Sequence, residues 1–361
     1  MNRRRDLCIL YAFVILLIVI AVYGLYAALA PDKPSGEADR TGEGSYDNLI
    51  NANIARRENW EQIVFDSPFQ IAIRQVDRLT PLGTYPYIEG STVCIPMGAE
   101  FARQHLGMDD DGARRFSRFS TTPVAYDMLI RRTGSIVDRL RPEDRSFYIG
   151  PGVVDLILVT QPSDDELSRA SQAGVELVIE PICWDAFVFI THKDNPVNSL
   201  TIEQIRQIYS GDVEYWSELG GLNQKIVAYQ REQNSGSQTT MEKQVMGGLP
   251  MMPAPMARIL EGMGNLVDAV SEYVNDQYSI GYTFRYYVDN LYLNEDIKIL
   301  EIDGISPADE NIRDRSYPFA TIYYAVYRQE NKDGTAGEFV AWILSEEGQR
   351  CIELAGYVPI N

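Results

Sequence analysis

Histidine is almost missing from this sequence: among its 361 residues only His105 and His192 occur. A Ser-His-Asp hydrolase needs an imidazole beside its nucleophile, and zinc sites commonly draw on several, so neither chemistry is supported. Each histidine is compatible with an exposed helix or loop position. Cysteine is scarce as well. Cys8, Cys94, Cys183 and Cys351 show no C-x-x-C spacing, which removes the usual zinc and dithiol redox motifs. Buried free thiols are the default reading of the last three, and a pair among them is the alternative. No metal set, cofactor or catalytic group is indicated. Positive charge is in deficit too, with 32 Lys and Arg against 51 Asp and Glu and a net charge of -19. That balance excludes a general basic field for nucleic acid or acidic membrane surfaces. An anionic ligand would have to be held by local dipoles and a nearby arginine, against the field of the chain. What is present is the composition of a globular protein, 45% hydrophobic and 23% charged, and long enough for more than one ordinary domain.

Residues 7–30 are almost purely apolar and long enough to cross a hydrocarbon core as one helix, with Arg3, Arg4 and Arg5 just before them. The positive-inside rule then keeps the N-terminus cytoplasmic and exports the chain beyond Ala30. An uncleaved single-pass anchor is the favoured reading. A cleavable signal peptide ending at Ala28-Leu29-Ala30 competes with it, but the apolar stretch is longer than a usual signal core and Pro31 comes directly after the candidate site. From Pro31 to Tyr46 the residues turn to Pro, Gly, Ser, Asp and Glu, a flexible tether. Asp47 to Val76 reads as an amphipathic or irregular lead-in, so residues 31–78 form tether and lead-in together.

The chain is organised around Gln230-Arg231-Glu232-Gln233-Asn234-Ser235-Gly236-Ser237-Gln238-Thr239. A short strand from Lys225 to Tyr229 precedes it and a helix beginning near Thr239 comes after it. A strand-to-helix turn of this kind gathers a guanidinium, two hydroxyls and free backbone N–H groups at the positive end of a helix dipole, where a small oxyanion is stabilised. Gly236 lets the backbone come close. A surface turn with a serine cap is the competing reading. Gly90-Ser91-Thr92 and Ser120-Thr121-Thr122-Pro123 repeat the device before two further helices. Each alone reads as a helix cap, whereas three of them, one beside an arginine, favour convergence on one ligand. Gly152 to Pro162 reads as a strand buried on both faces, and Ser163 with Asp164-Asp165-Glu166 as a capped helix start. Val175–Ile179 and Ala186–Ile190 read as two strands, Thr201–Tyr209 as a capped helix, and Ser279–Tyr282 and Tyr323–Tyr327 as strands. Ala336–Leu354 reads as one closing helix. Strands alternating with helices predict an α/β fold with mainly parallel sheets.

Other motifs stand in order around these: Tyr85-Pro86, the strand of Asp155, Asp194-Asn195-Pro196-Val197, Leu200 to Ile205, Ile208-Tyr209-Ser210-Gly211, Trp216, Gly220-Gly221, Ser279-Ile280-Gly281-Tyr282 and Ser345-Glu346-Glu347-Gly348-Gln349. From about Tyr85 to the C-terminus the ordered set resembles the PstS-like phosphate-binding proteins, the substrate-binding components of phosphate ABC transporters. The resemblance implies a bilobed type II periplasmic-binding-protein fold with an anion between the lobes. It places lobe 1 at residues 79–190 plus 284–361 and lobe 2 at 191–283, with crossovers near Phe189–Asn195 and Tyr282–Tyr286. Carried over by position, Ser91 and Thr92, Thr121 or Thr122, and Arg231 with Ser235, Gly236 and Ser237 become the anion contacts. The selecting carboxylate of the family falls at Thr160, which has a hydroxyl instead, so the choice between phosphate and sulfate stays open. The acidic neighbour of the family's arginine is Gln233 here, with Glu232 beside it. The implied function is non-catalytic capture of phosphate, or a similar tetrahedral oxyanion, for an ABC permease. A membrane-anchored sensor or surface protein is the alternative, suggested by the N-terminal apolar stretch. An enzymatic reading with Ser235 or Ser237 as nucleophile lacks a histidine to orient a base.

Overall fold

A single sixteen-residue strand, β3 (Leu177–His192), is the spine of the fold. The sequence reads as two strands here, Val175–Ile179 and Ala186–Ile190, and between them lies Pro181, which has no N–H to offer a ladder. The neighbouring strand β11 (Ala320–Arg328) solves the problem by a register shift between Tyr323 and Tyr324, so that Cys183 and Pro181 are paired and Ile182 is the extra residue of a bulge. The first part of β3 pairs with β11, and Phe187–Thr191 pairs with β8 (Ser279–Phe284). Phe187, Val188, Phe189 and Ile190 have no exposed surface; burying each phenylalanine stabilises the fold by about 1.5–3 kcal/mol.

The computed structural model describes residues 85–133 except 118, and 153–253, 259–260, 278–291 and 295–360. The expected anchor, tether and lead-in lie outside the described residues. Among the described residues no helix is long and apolar enough to cross a membrane.

In chain order, β1 (Ile88–Gly90) leads through a 3-10 turn at Thr92–Cys94 into α1 (Ile95–Leu106), then α2 (Asp110–Phe116) and α3 (Thr122–Arg131). Next come β2 (Leu156–Val159), α4 (Asp164–Gln172) and then β3. After β4 (Ser199–Leu200) and α5 (Ile202–Ser210), the short strands β5 (Val227–Ala228) and β6 (Gln230–Arg231) precede α6 (Gly236–Thr240), which continues as a π-helical turn over Met241–Met246. The remaining elements are β7 (Ile259–Leu260), β8, β9 (Ile297–Ile299), β10 (Glu301–Ile302), α7 (Asp309–Arg313), β11, α8 (Thr335–Ile343), α9 (Glu346–Leu354) and β12 (Val358–Pro359).

The main sheet runs β1-β2-β11-β3-β8-β5, and β12 and β9 also pair with β3. Its parallel pairs are β1 with β2 and β5 with β8, while β11 and β3 run antiparallel to their neighbours. The sheet is therefore mixed rather than mainly parallel, since β11 and β3 each run against both of their neighbours in it. The arrangement is an α/β, bilobed one. On β2, Leu156 and Leu158 join the main core, and Ile157 and Val159 join a second cluster with Ala125, Tyr126 and Leu129 of α3. This alternation explains why that strand reads as apolar throughout. The predicted closing helix is two helices, since the Ser345 hydroxyl accepts from Gly348 N and starts α9 afresh. Both histidines are buried rather than exposed: His105 packs against Phe339 and Trp342, and burial lowers its pKa to about 3. Cys94, Cys183 and Cys351 are buried and form no disulfide, and Cys8 lies outside the described residues.

Candidate functional site

The turn after β6 starts its helix three residues earlier than the sequence suggests, at Gly236 rather than Thr239. Ser235 is the cap: its backbone is extended and its hydroxyl accepts from Gln238 N at 3.2 Å. The Ser-Gly-Ser segment is thus the cap and first turn of the helix, so the free amides of that turn belong to Gly236 and Ser237 themselves.

Gly236 reaches across to the elements of the other lobe. A Cβ on Gly236 would lie 2.6 Å from Thr160 Oγ1 and 3.0 Å from Thr122 Oγ1, so no larger residue fits without movement. Three residues far apart in sequence therefore meet at one point: the end of β2, the first turn of α3 and the first turn of α6. Thr122 and Thr160 are buried, and Thr160 Oγ1 has no hydrogen-bond partner among the described residues. The same holds for Ser120 Oγ, beside Thr121. Buried hydroxyls without partners are costly unless a ligand supplies the missing bond.

The hydroxyl and carboxylate caps of the helices are not all used alike. Asp109, Ser163, Thr201 and Ser345 all accept a backbone N–H of the helix they start. Ser91 and Thr121 occupy the same structural position and make no such side-chain bond. Ser91 N instead donates to Leu158 O at 2.9 Å, which fixes this turn against β2. Gly90 permits that approach, since a Cβ there would lie 2.3 Å from Leu158 O and 3.1 Å from the Phe119 ring. Phe119, wedged against Gly90, in turn carries Ser120, Thr121 and Thr122.

Arg231 is 5% exposed. Burial lowers its pKa, and Glu232 is the leading charge that opposes the shift. Its backbone N donates to Gln238 Oε1 at 3.2 Å and to the Tyr282 hydroxyl at 3.1 Å. Side-chain bonds nearby tie the segment after Arg231 to the start of α4. Lys243 Nζ binds Asp164 Oδ1 at 2.6 Å and Pro162 O at 3.1 Å, and Asn234 Nδ2 binds Asp165 Oδ2 at 3.0 Å.

Of the residues expected from sequence, Thr122, Thr160 and Gly236 are in direct mutual reach. Ser235 and Ser237 flank Gly236, and Thr121 flanks Thr122. Ser91 adjoins the β2 strand that ends at Thr160, and partly exposed Thr92 begins the next turn. Two site residues were not foreseen. Glu89, 2% exposed, accepts the Ser120 N–H at the entrance to α3. A charged residue inside an otherwise apolar strand was its only sign. Gln238 was seen as part of the turn, without a role.

A family model for the PBP superfamily domain matches residues 133–347, well over half of the chain. The chain belongs to the PBP superfamily. Curated relatives of this PBP-superfamily chain include the phosphate-binding protein PstS of Bacillus subtilis, 30% identical over 172 residues, which are 47% of this chain and 53% of the relative. PstS of Borreliella burgdorferi is 23% identical over 183 residues, 49% of this chain and 64% of its own. The chain thus matches roughly half to two thirds of the length of these relatives. Among solved structures, a Clostridium perfringens protein assigned as a phosphate ABC transporter substrate-binding protein, with bound phosphate, has TM-score 0.55 and 26% identity, covering 76% of this chain and 98% of that one. An ABC-type phosphate transport receptor from Vibrio cholerae has TM-score 0.51 and 20% identity over 75% of this chain and 98% of its own, a likeness of fold. The PstS-like resemblance read from the sequence is borne out.

Proposed function

We propose that this chain is an extracytoplasmic receptor that binds inorganic phosphate, or a similar tetrahedral oxyanion, between its two lobes and delivers it to an ABC permease. No bond is made or broken. The observation that carries the reading is the meeting of Thr122, Thr160 and Gly236 across the cleft, with a buried Thr160 hydroxyl that has no partner among the described residues. The relatives named for phosphate binding support the choice of ligand. In this reading Ser91, Thr92, Thr121, Thr122 and Thr160 contact the anion from one lobe. Arg231, Ser235, Gly236 and Ser237 contact it from the other. The helix N-termini supply partial positive charge, and the guanidinium forks onto two oxygens. Thr160 offers a hydroxyl where a carboxylate would discriminate by charge, so sulfate is the competitor to test.

The lobes in this reading are residues 79–190 with 284–361, and 191–283, in a type II arrangement. The pairing of β9 with the end of β3 and of β10 with β4 favours one departure from that division, moving residues 297–302 from the first lobe to the second. A hydrolytic role is disfavoured because the Ser235 hydroxyl accepts the Gln238 amide and His105 packs among aromatic rings elsewhere.

Calorimetric titration of the purified full chain with phosphate, sulfate, arsenate and a phosphate ester tests the reading. Phosphate is expected to bind and the bulkier ester to fail in a closed cleft. Equal binding of sulfate would remove the phosphate assignment, and no oxyanion binding at all would remove the receptor.

Residues 7–30, preceded by three arginines, motivate the further proposal of an uncleaved anchor with a cytoplasmic N-terminus. The same feature favours a second reading, a membrane-anchored sensor or surface protein that reports occupancy to a membrane partner. N-terminal sequencing of the membrane fraction should find the intact N-terminus; a mature chain beginning at Pro31 overturns the anchor.

A further inference from the structure

Tyr282 sits on the crossover strand β8, paired with Phe189 of β3, and has no exposed surface. Its ring is held by Phe187, Phe189 and Tyr209, at centroid distances of 5.6, 6.2 and 5.4 Å. At the far end its hydroxyl does two things. It accepts the Arg231 N–H at 3.1 Å and donates to Gln238 Oε1. Gln238 Oε1 also accepts from Arg231 N, at 3.2 Å. The other half of the Gln238 amide, Nε2, donates to Glu242 Oε1 at 2.9 Å and approaches Met251 Sδ at 3.6 Å. The Gln238 backbone N is the group capped by Ser235. One tyrosine and one glutamine therefore tie the backbone of the buried arginine to the cap of α6 on one side and to a strand passing between the lobes on the other.

Both side chains are buried, Gln238 at 5% exposure, and a buried polar network of this kind fixes one arrangement because any other leaves its members unsatisfied. Burial also raises the Tyr282 pKa, so the hydroxyl keeps the proton it donates. We propose that Tyr282 and Gln238 are positioning residues of the anion site, which fix the Arg231 main chain and so the point from which its guanidinium reaches the ligand. The inference rests on the oxyanion reading and deepens it. Neither residue needs to touch the anion. Their effect is on placement, and placement matters for a planar two-donor fork far more than for the point charge of a lysine.

That difference supplies the test. Phosphate affinity of the full chain is measured by calorimetry for the wild type, Tyr282→Phe, Arg231→Lys and the double variant, with the ligand-free melting temperature of each. Tyr282→Phe is expected to weaken binding roughly tenfold in the arginine background and by less than about twofold beside the lysine, because neighbouring effects couple when one residue acts through another. Equal losses in both backgrounds would mark the hydroxyl as merely structural and overturn the inference. Wild-type affinity in Tyr282→Phe would overturn it as well. Should that variant fail to fold, Gln238→Met carries the same cycle, with the same two outcomes. Absence of any oxyanion binding by the wild-type chain would instead overturn the receptor reading, and this inference with it.

Discussion

Arg231 and Asp185 are both charged groups taken almost wholly out of water, yet their surroundings differ in kind. Asp185, on β3, is 5% exposed, and its carboxylate is answered by the protein itself. It accepts from Ala186 N at 2.7 Å, from the Tyr323 hydroxyl at 2.9 Å and from Tyr286 N at 3.3 Å, with Arg285 acting at longer range. Arg231 is equally buried, but it stands on β6 just before the Ser235 cap, and desolvation rather than a facing carboxylate dominates its surroundings. In the proposed reading the charge that answers the guanidinium is the bound anion, whereas Asp185 is answered by the chain itself. The first environment fits a structural charge and the second a binding site, although burial alone is the same.

The largest effect that would sharpen this contrast is on ligand affinity. Arg231→Ala should weaken phosphate binding by about 3–5 kcal/mol, the usual cost when a buried ion loses its charged partner. Asp185→Asn should leave affinity nearly unchanged. Calorimetry on both variants decides, and an equal loss from each would erase the distinction between the two charges.

The second effect is on stability and belongs to Asp185 alone. Desolvation raises its pKa from 3.8 to about 6, against the hydrogen bonds that lower it. The folded state therefore holds this proton more tightly than the unfolded state, and the contribution of the group to stability falls as pH rises from 3.8 through about 6. The penalty is complete above that window, on the order of 3 kcal/mol. Asparagine keeps an acceptor without the charge. Denaturant melts of wild type and Asp185→Asn from pH 4 to 8 should diverge in favour of the variant as pH rises, whereas parallel curves would contradict the buried-charge account.

A smaller effect tests the donor-rich side. Thr160→Val keeps the shape and removes the buried hydroxyl that has no partner among the described residues. Ligand-free stability should hold or rise, while phosphate affinity falls by about 1 kcal/mol, the net worth of one hydrogen bond. Differential scanning calorimetry with and without phosphate reads both. A loss of ligand-free stability would show that the hydroxyl serves the fold.

Much of this arrangement is written in local sequence, and the parts that are not share a cause. The caps at Ser163 and Thr201 are specified by a few residues and form as read, and the structure closes each into a capping box with Glu166 or Gln204. The hydroxyl-rich turns at Ser91, Thr121 and Ser235 are local too, so the candidate site was legible residue by residue. What local pattern cannot show is which hydroxyls the helices use. Ser91 and Thr121 look like Ser163 on paper, and the difference lies in rotamer and in partners from other strands. The continuity of β3 through Pro181 was hidden for the same reason, since the bulge that accommodates it depends on the register of β11 some 140 residues away. The link from Tyr282 to Arg231 spans 51 residues, beyond the reach of any periodicity.

The smallest predicted effect concerns the contacts that, in the two-lobe reading, hold the lobes together at the rim of the cleft. Lys243 is one-third exposed and Asp164 is 90% exposed, so their 2.6 Å ion pair is screened by water and salt. If the buried donors around Arg231 carry the binding energy, Lys243→Ala should lower phosphate affinity by no more than about 0.5–1 kcal/mol, and less still in high salt. Its larger consequence should be kinetic, since in the two-lobe reading the pair links the lobes and its loss should speed opening and hence dissociation. Stopped-flow measurement of phosphate release at low and high ionic strength separates the two. A loss as large as that of Arg231→Ala, insensitive to salt, would move the centre of the interaction from the buried guanidinium to the rim.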